Sequence, residues 1–243
     1  MLRDFFDTLG FLTRLAPARV IPESAMNRCI RWMPLAGLVL GLLITLPFKA
    51  DLFADSPWVQ AWLMVAASIY LTRGLHMDGL ADVCDAVTTH TDPVRFWAVV
   101  KDSHTGAFGV MGLVMALAGQ IFLFHTMLAR GEYWAAAWAF VLGRAAAVWL
   151  GYHVRHLVRP GLGKLYIDGA TLGVALAATL FTFAAGWIMA GLAVTLASTV
   201  IVTLVLLWLY RLAERVGGAN GDFLGCAVIL GELAAGLGFA LVM

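Results

Sequence analysis

Seven stretches of this chain are long and apolar enough to cross a lipid bilayer, and that limits its fold more than any other feature. They lie near residues 32–48, 58–75, 107–129, 133–152, 170–189, 191–210 and 223–243. In hydrocarbon no water satisfies backbone N–H and C=O groups, so each stretch has to be a helix closing its own hydrogen bonds. Crossing a core of about 30 Å takes roughly 20 helical residues. Composition agrees, with 62% hydrophobic and 13% charged residues, against roughly 45–50% and about 25% in soluble chains. The expected fold is all-α: a polytopic helical integral membrane protein, one domain over residues 1–243, with about seven transmembrane helices. The fifth and sixth stretches nearly touch between Gly186 and Gly191, so six spans with one long kinked helix is the competing arrangement.

The start of the chain does not read as a cleaved leader, because Asp4 and Asp7 interrupt it and no apolar core leads to a cleavage site. Phe5, Leu9 and Leu12 share one helical face there, with Phe6 beside it, which fits a helix lying in the membrane interface. Basic residues set the orientation. Of the sixteen Lys and Arg, only Lys49 and Arg130 fall on one side and Arg144 within a span. The rest flank the other ends, so the positive-inside rule places the N-terminus and three charged connections in the cytoplasm. A net charge of +1 gives no basic footprint for nucleic acid. Cys29, Cys84 and Cys226 share no ligand spacing and read as reduced and structural. Spacings such as Gly37-x-x-x-Gly41 and Gly231-x-x-x-Ala235 allow close helix contact in lipid; self-association into a homo-oligomer is left open.

Chemistry concentrates in the second connection. Asp78, Asp82 and Asp85 follow i, i+4, i+7 spacing, which puts three carboxylates on one face of a helix. Like charges so placed repel, and a divalent cation relieves them; oxygen ligands suit Mg²⁺, which also binds substrate phosphates. A solvated acidic face is the plainer reading, but Leu75, Leu80, Ala81, Val83 and Val87 leave the rest of that helix apolar. Next come Lys101, Asp102, Ser103, His104 and, beyond Thr105, Gly106 and Gly109. Asp102 and Ser103 there cap a helix, or its amides join Lys101 and His104 as an anion site for phosphate. Arg144 lies in mid-span, where a charge faces a partner or a cavity; pairing with an aspartate and contact with phosphate fit equally. Arg159 and Lys164 flank Gly161 and Gly163 in a loop that serves topology alone or touches phosphate. Asn220 and Asp222 open the last span, Asp222 as a cap or as a further carboxylate on the same cavity, with Glu232 deeper in that span. His76, His90 and His104 lack zinc-ligand spacing.

The strings LTRGLHMDGLADVCDA and KDSHTGAFG, in that order, resemble the signature region of the cobalamin synthases (adenosylcobinamide-GDP ribazoletransferases). FLTRLAP, WMPLAGLVLG, VLGRAA, VRPGLGKLY and GGANGDFLG resemble further family segments, so the likeness runs from about residue 11 to 232. It implies a multi-pass enzyme of the bacterial inner membrane, with its site facing the cytoplasm. The implied reaction joins adenosylcobinamide-GDP to α-ribazole or its 5′-phosphate and releases GMP, with Mg²⁺ as cofactor. By that resemblance Asp78, Asp82 and Asp85 would hold the metal, and Lys101, Arg144, Arg159 and Lys164 would clamp phosphates. Asp102 or Asp222 would orient or deprotonate the hydroxyl, and His76, Ser103, His104 and Asn220 join the substrate-facing candidates. This chain has His104 where the family commonly has Arg, Ala86 for Gly, Ala16 for Pro and Asn220 for Thr. Imidazole is only fractionally charged at neutral pH, so a histidine here does not supply the fixed cation that the family's arginine does. Two rivals stand beside this reading. A CDP-alcohol phosphotransferase has a larger Asp motif than this string, and a cation-coupled transporter needs acidic residues at mid-membrane depth on several spans.

Overall fold

A computed structural model describes residues 2–17, 19–89 and 92–243; His90, named among the histidines above, lies outside them. The described residues form helices and short turns. The helices are α1 (Leu2–Leu12), α2 (Glu23–Cys29), α3 (Met33–Lys49), α4 (Pro57–Thr72), α5 (Leu75–Val87) and α6 (Pro93–Val100). They continue with α7 (Ala107–Leu128), α8 (Tyr133–Val154), α9 (Leu162–Asp168), α10 (Leu172–Ala190), α11 (Leu192–Arg215) and α12 (Gly221–Val242). Among the described residues six helical segments are long and apolar enough to span a membrane. They contain α3, α7, α8, α10, α11 and α12.

The second sequence-predicted span is a shorter helix, α4, of 16 residues, about 24 Å at 1.5 Å per residue. It lies antiparallel along α7: Trp58 at its start packs on Phe122 and His125, while Thr72 at its end shares a cavity with Thr105 and Leu113. The fifth and sixth stretches are two helices and not one kinked one. Gly191 adopts φ +83° between them, and a Cβ on Gly186 would meet Thr195 Oγ1 at 2.8 Å, so the chain reverses there. α1 forms as expected but docks on the bundle instead of lying only on lipid. Leu9 and Leu12 are buried, and Thr8 Oγ1 donates to Cys29 O.

α8 is the centre of the bundle, with residues 135–148 buried without a break. Its alanines and glycine admit neighbours on every side. Gly37 and Gly41 of α3 rest directly on the carbonyls of Phe140 and Ala137. On the opposite flank a Cβ at Gly231 of α12 would stand 2.8 Å from Gly143 Cα. The small-residue spacings therefore mark true helix contacts, as dispersion-driven packing in lipid requires. α10 and α11 lie outside, with large apolar side chains such as Leu180, Ile188, Val200 and Leu204 exposed, the surface that lipid covers.

Candidate active site at one end of the bundle

α5 is not among the helices that span. It lies across the starts of α7 and α12 at one end of the bundle, and glycines set both contacts. A Cβ on Gly79 would stand 2.9 Å from Asp222 Cα, and one on Gly225 would stand 3.3 Å from His76 Cα. The two helices touch backbone to backbone there, which brings Asp78 and Asp222 to the wall of one cavity of about 320 Å³. A loop completes the enclosure. Arg159 N–H donates to Ala219 O, and Ala219 N–H donates to Leu157 O, pinning the 157–163 segment over the start of α12. Gly163 then packs on Gly221, where a Cβ would meet Gly221 Cα at 2.7 Å.

The three predicted carboxylates of α5 do not share one task. Asp85 turns to α7: its Oδ2 accepts from Gly106 N–H and its Oδ1 from Gly109 N–H, each at 2.7 Å. Two corrections follow. The cap of α7 is Asp85, arriving from another helix, and not Asp102 or Ser103; the helix begins at Ala107, after both. The amides read as a phosphate site are filled by this carboxylate, which already complements the helix dipole. Gly106 matters because a Cβ there would meet Asp85 Oδ1 at 2.6 Å. Asp102 instead accepts from the His104 N–H at 3.0 Å and faces His104 Nδ1 at 2.7 Å, and that bonding holds its carboxyl below the usual range. Lys101, Ser103 and His104 are exposed around it.

Asp82 is half-buried and Asp78 exposed. Burial, then the charges of Asp222, Asp78 and Asp85, push the Asp82 carboxyl up to about 6. Asp222 is no cap either: α12 starts without a side-chain cap, and Asn220 Nδ2 donates to Asp222 Oδ2 at 2.6 Å. Among the described residues no Lys or Arg pairs with Asp78, Asp82 or Asp222. No three His, Cys, Asp or Glu side chains there form a ready metal cage. Mg²⁺ needs only one or two carboxylates with water and substrate phosphate. Unneutralised carboxylate oxygens of Asp78 and Asp222 at the cavity wall fit such a cation.

The basic candidates are mostly committed. Arg144 is corrected: it is 3% exposed and its guanidinium pairs with Glu232 of α12, whose other oxygen accepts from Gln120 Nε2 of α7. A buried, paired guanidinium has no free face for phosphate, and its partner is a glutamate where an aspartate was expected. Arg159 stacks on the Trp97 ring at 4.4 Å. Lys164 pairs with Asp168 at 2.8 Å. Sequence reasoning missed Phe11, Leu162 and Tyr166 in the cavity wall, and Arg73, which donates to the Gly10, Phe11 and Thr13 carbonyls. Only the Arg73-Gly74 pair between two apolar runs hinted at that turn, where both residues have φ near +60° to +70°.

Comparison with known proteins bears on this arrangement. The family model described as cobalamin-5-phosphate synthase matches residues 4–240. An adenosylcobinamide-GDP ribazoletransferase of Nitratidesulfovibrio vulgaris (strain Miyazaki F) is 45% identical, over 94% of this chain and 91% of the relative. Proteins of that description from Thiobacillus denitrificans and Klebsiella pneumoniae (strain 342) are each 34% identical, over 96% of this chain and 93% and 97% of theirs. No solved structure matches the chain.

Proposed function

This chain belongs to the cobalamin-5-phosphate synthase family, and from that membership we propose that it is an adenosylcobinamide-GDP ribazoletransferase. The observation that carries the reading is the near end-to-end match to relatives of that description. In the proposed reaction the ribazole hydroxyl oxygen bonds to the phosphorus nearer the corrinoid. The bond from that phosphorus to the bridging oxygen breaks, and GMP leaves with the bridging oxygen. Such a transfer asks the protein for positioning and charge stabilisation more than for covalent chemistry.

The geometry supports a division of roles. Asp78 and Asp82, with Asp222 beside them, would hold Mg²⁺, which when bound would neutralise the diphosphate and polarise the phosphorus. Asp222 lines the cavity and accepts from Asn220; in this reading it orients the hydroxyl and takes its proton. Asp85 positions α5 against α7. Lys101 is exposed and has no ion-pair partner among the described residues, leaving it available to phosphate. Arg159 stands on the loop over the cavity and Lys164 in the α9 helix that follows it; both would exchange their present partners for phosphate oxygens. α4 adds a seventh crossing, the N-terminus lies in the cytoplasm of a bacterial inner membrane, and the site faces the same side. A cation path is less well supported, because the charges at mid-depth are already joined as a pair.

The test is direct. Purified protein with adenosylcobinamide-GDP, α-ribazole and Mg²⁺ should release one GMP per cobalamin formed, and chelation should stop it. Release of CMP from CDP-diacylglycerol in place of GMP would reject the assignment.

A further inference from the structure

Two cavities meet at one carboxylate. The first is the 320 Å³ space under the 157–163 loop. The second, about 440 Å³, opens toward Arg73, Ala81 and Thr105. Phe11, Leu75 and Asp78 belong to both.

The first has mainly apolar walls. Met33, Leu162 and Leu224 line it together with the rings of Phe11 and Tyr166, stacked 5.1 Å apart at 27°. Against that background three buried polar atoms of lining residues have no hydrogen-bond partner: His76 Nε2, Asn220 Oδ1 and the Tyr166 hydroxyl, the last beside Cys29. His76 is only 5% exposed. An unpartnered buried polar atom destabilises the fold, a cost that a bound ligand with matching groups would remove.

Resting on the ribazoletransferase reading, we infer that this smaller cavity binds the benzimidazole base of the nucleoside, with His76 Nε2–H donating to its unsubstituted ring nitrogen. A benzimidazole ribonucleoside fits what is there. Its base is flat and apolar with one acceptor and no donor, which matches an aromatic-walled cavity with one free imidazole nitrogen. Its sugar hydroxyls are donors for Asn220 Oδ1, and they lie toward Asp222 and Asp78. Guanine fits poorly, because its several donors and acceptors would be left unpaired against Leu, Met and Phe, and unpaired polar groups are what sites reject most strongly. A corrin macrocycle is too large for 320 Å³. The diphosphate is therefore assigned to the second cavity, with the corrin ring outside both, and Asp78 stands on the border where hydroxyl and phosphorus meet. His76 becomes a specificity-determining residue.

The experiment uses the full-length protein in detergent. α-Ribazole binding is measured by equilibrium dialysis with no second substrate, beside steady-state KM values for both substrates. His76→Phe keeps a flat ring and removes the donor. It should weaken α-ribazole binding and raise its KM about tenfold, the scale of one lost hydrogen bond, with the KM for adenosylcobinamide-GDP within about twofold of the parent. Leu162→Trp changes a rim residue that is 65% exposed, so it narrows the cavity without disturbing the core, and it should weaken α-ribazole binding likewise. An indole ribonucleoside lacks the ring acceptor and should bind the parent and His76→Phe equally. Unchanged α-ribazole binding in Leu162→Trp overturns the inference even if His76→Phe fails to fold. A rise confined to the KM for adenosylcobinamide-GDP overturns it as well, by giving the cavity to the other substrate. A parent protein that binds α-ribazole but releases no GMP sinks the transferase reading instead and leaves the cavity assignment standing.

Discussion

Two groups of ionised side chains in the bundle are handled in opposite ways. In mid-bundle Arg144, Glu232 and Gln120 join α8, α12 and α7, with the charges opposed, hydrogen-bonded and shut away from solvent. At the end of the bundle Asp78, Asp82 and Asp222 gather with no basic partner among the described residues, and one carboxyl is pushed up to about 6. Charge buried in a low dielectric is tolerated only when it is paired. The first group is complete as it stands and serves the fold. The second lies at the open end of the bundle without a basic partner, and under the proposed reading it is kept for a cation.

Breaking the paired group should have the largest effect. Glu232→Ala leaves the Arg144 guanidinium buried and alone, and removing one partner of a buried pair costs about 3–5 kcal/mol. The variant should melt far below the parent in detergent or fail to accumulate. Arg144→Met with Glu232→Leu removes both charges at similar volume and should recover most of that stability, with activity retained. A double variant that folds but turns over no substrate would give the pair a role in the chemistry and erase the contrast.

The end group should respond in the other sense. Asp82→Asn keeps shape and removes one negative charge, so we expect turnover to fall about a hundredfold, or about 2.7 kcal/mol, with a higher Mg²⁺ requirement. Stability should not fall with it. The folded protein holds the Asp82 proton to about pH 6, above the ordinary carboxylate value, so the metal-free fold loses stability as pH rises from about 4 through 6. Asp82→Asn removes that loss and should be slightly more stable than the parent at pH 7 in chelator, by less than about 1 kcal/mol given its partial exposure. Asp85→Asn should do the reverse. It weakens the α7 cap, by about 0.5–2 kcal/mol, and leaves the Mg²⁺ requirement where it was. Equal shifts in Mg²⁺ requirement for Asp82→Asn and Asp85→Asn would restore a shared metal role for all three aspartates of α5.

That division could not be read from spacing. The i, i+4, i+7 pattern correctly put Asp78, Asp82 and Asp85 on one helix, because local geometry alone decides that. Which way Asp85 turns depends on where α7 begins, more than twenty residues later, and on Gly106 and Gly109 leaving room for a carboxylate. Asp222 was legible as a polar residue at a span entrance, but its place opposite Asp78 rests on the Gly79 and Gly225 contacts between α5 and α12. The spanning helices were easier, since lipid forces long apolar runs into helices whatever their neighbours are. The short α4 and the reversal at Gly191 are set by tertiary packing and one positive φ, which blurred the count. Arg144 carried a usable signal that went unread: Arg144 and Glu232 carry opposite charge, each near the middle of its own span.

His104 offers the smallest and finest test. The ring is exposed and pairs with Asp102, at 2.7 Å, in the loop before α7 and away from the buried core. If that loop serves the site through flexible cationic contact with phosphate, the commoner family residue should serve at least as well here. His104→Arg keeps a partner for Asp102 and adds a permanent charge, and exposed ion pairs are worth only about 0–1 kcal/mol. We therefore expect thermal stability unchanged and turnover at neutral pH within about threefold of the parent. A loss of a hundredfold in His104→Arg would mean that the imidazole itself exchanges a proton during turnover. The loop would then belong with the carboxylates at the end of the bundle, among the groups whose partner arrives with the substrate.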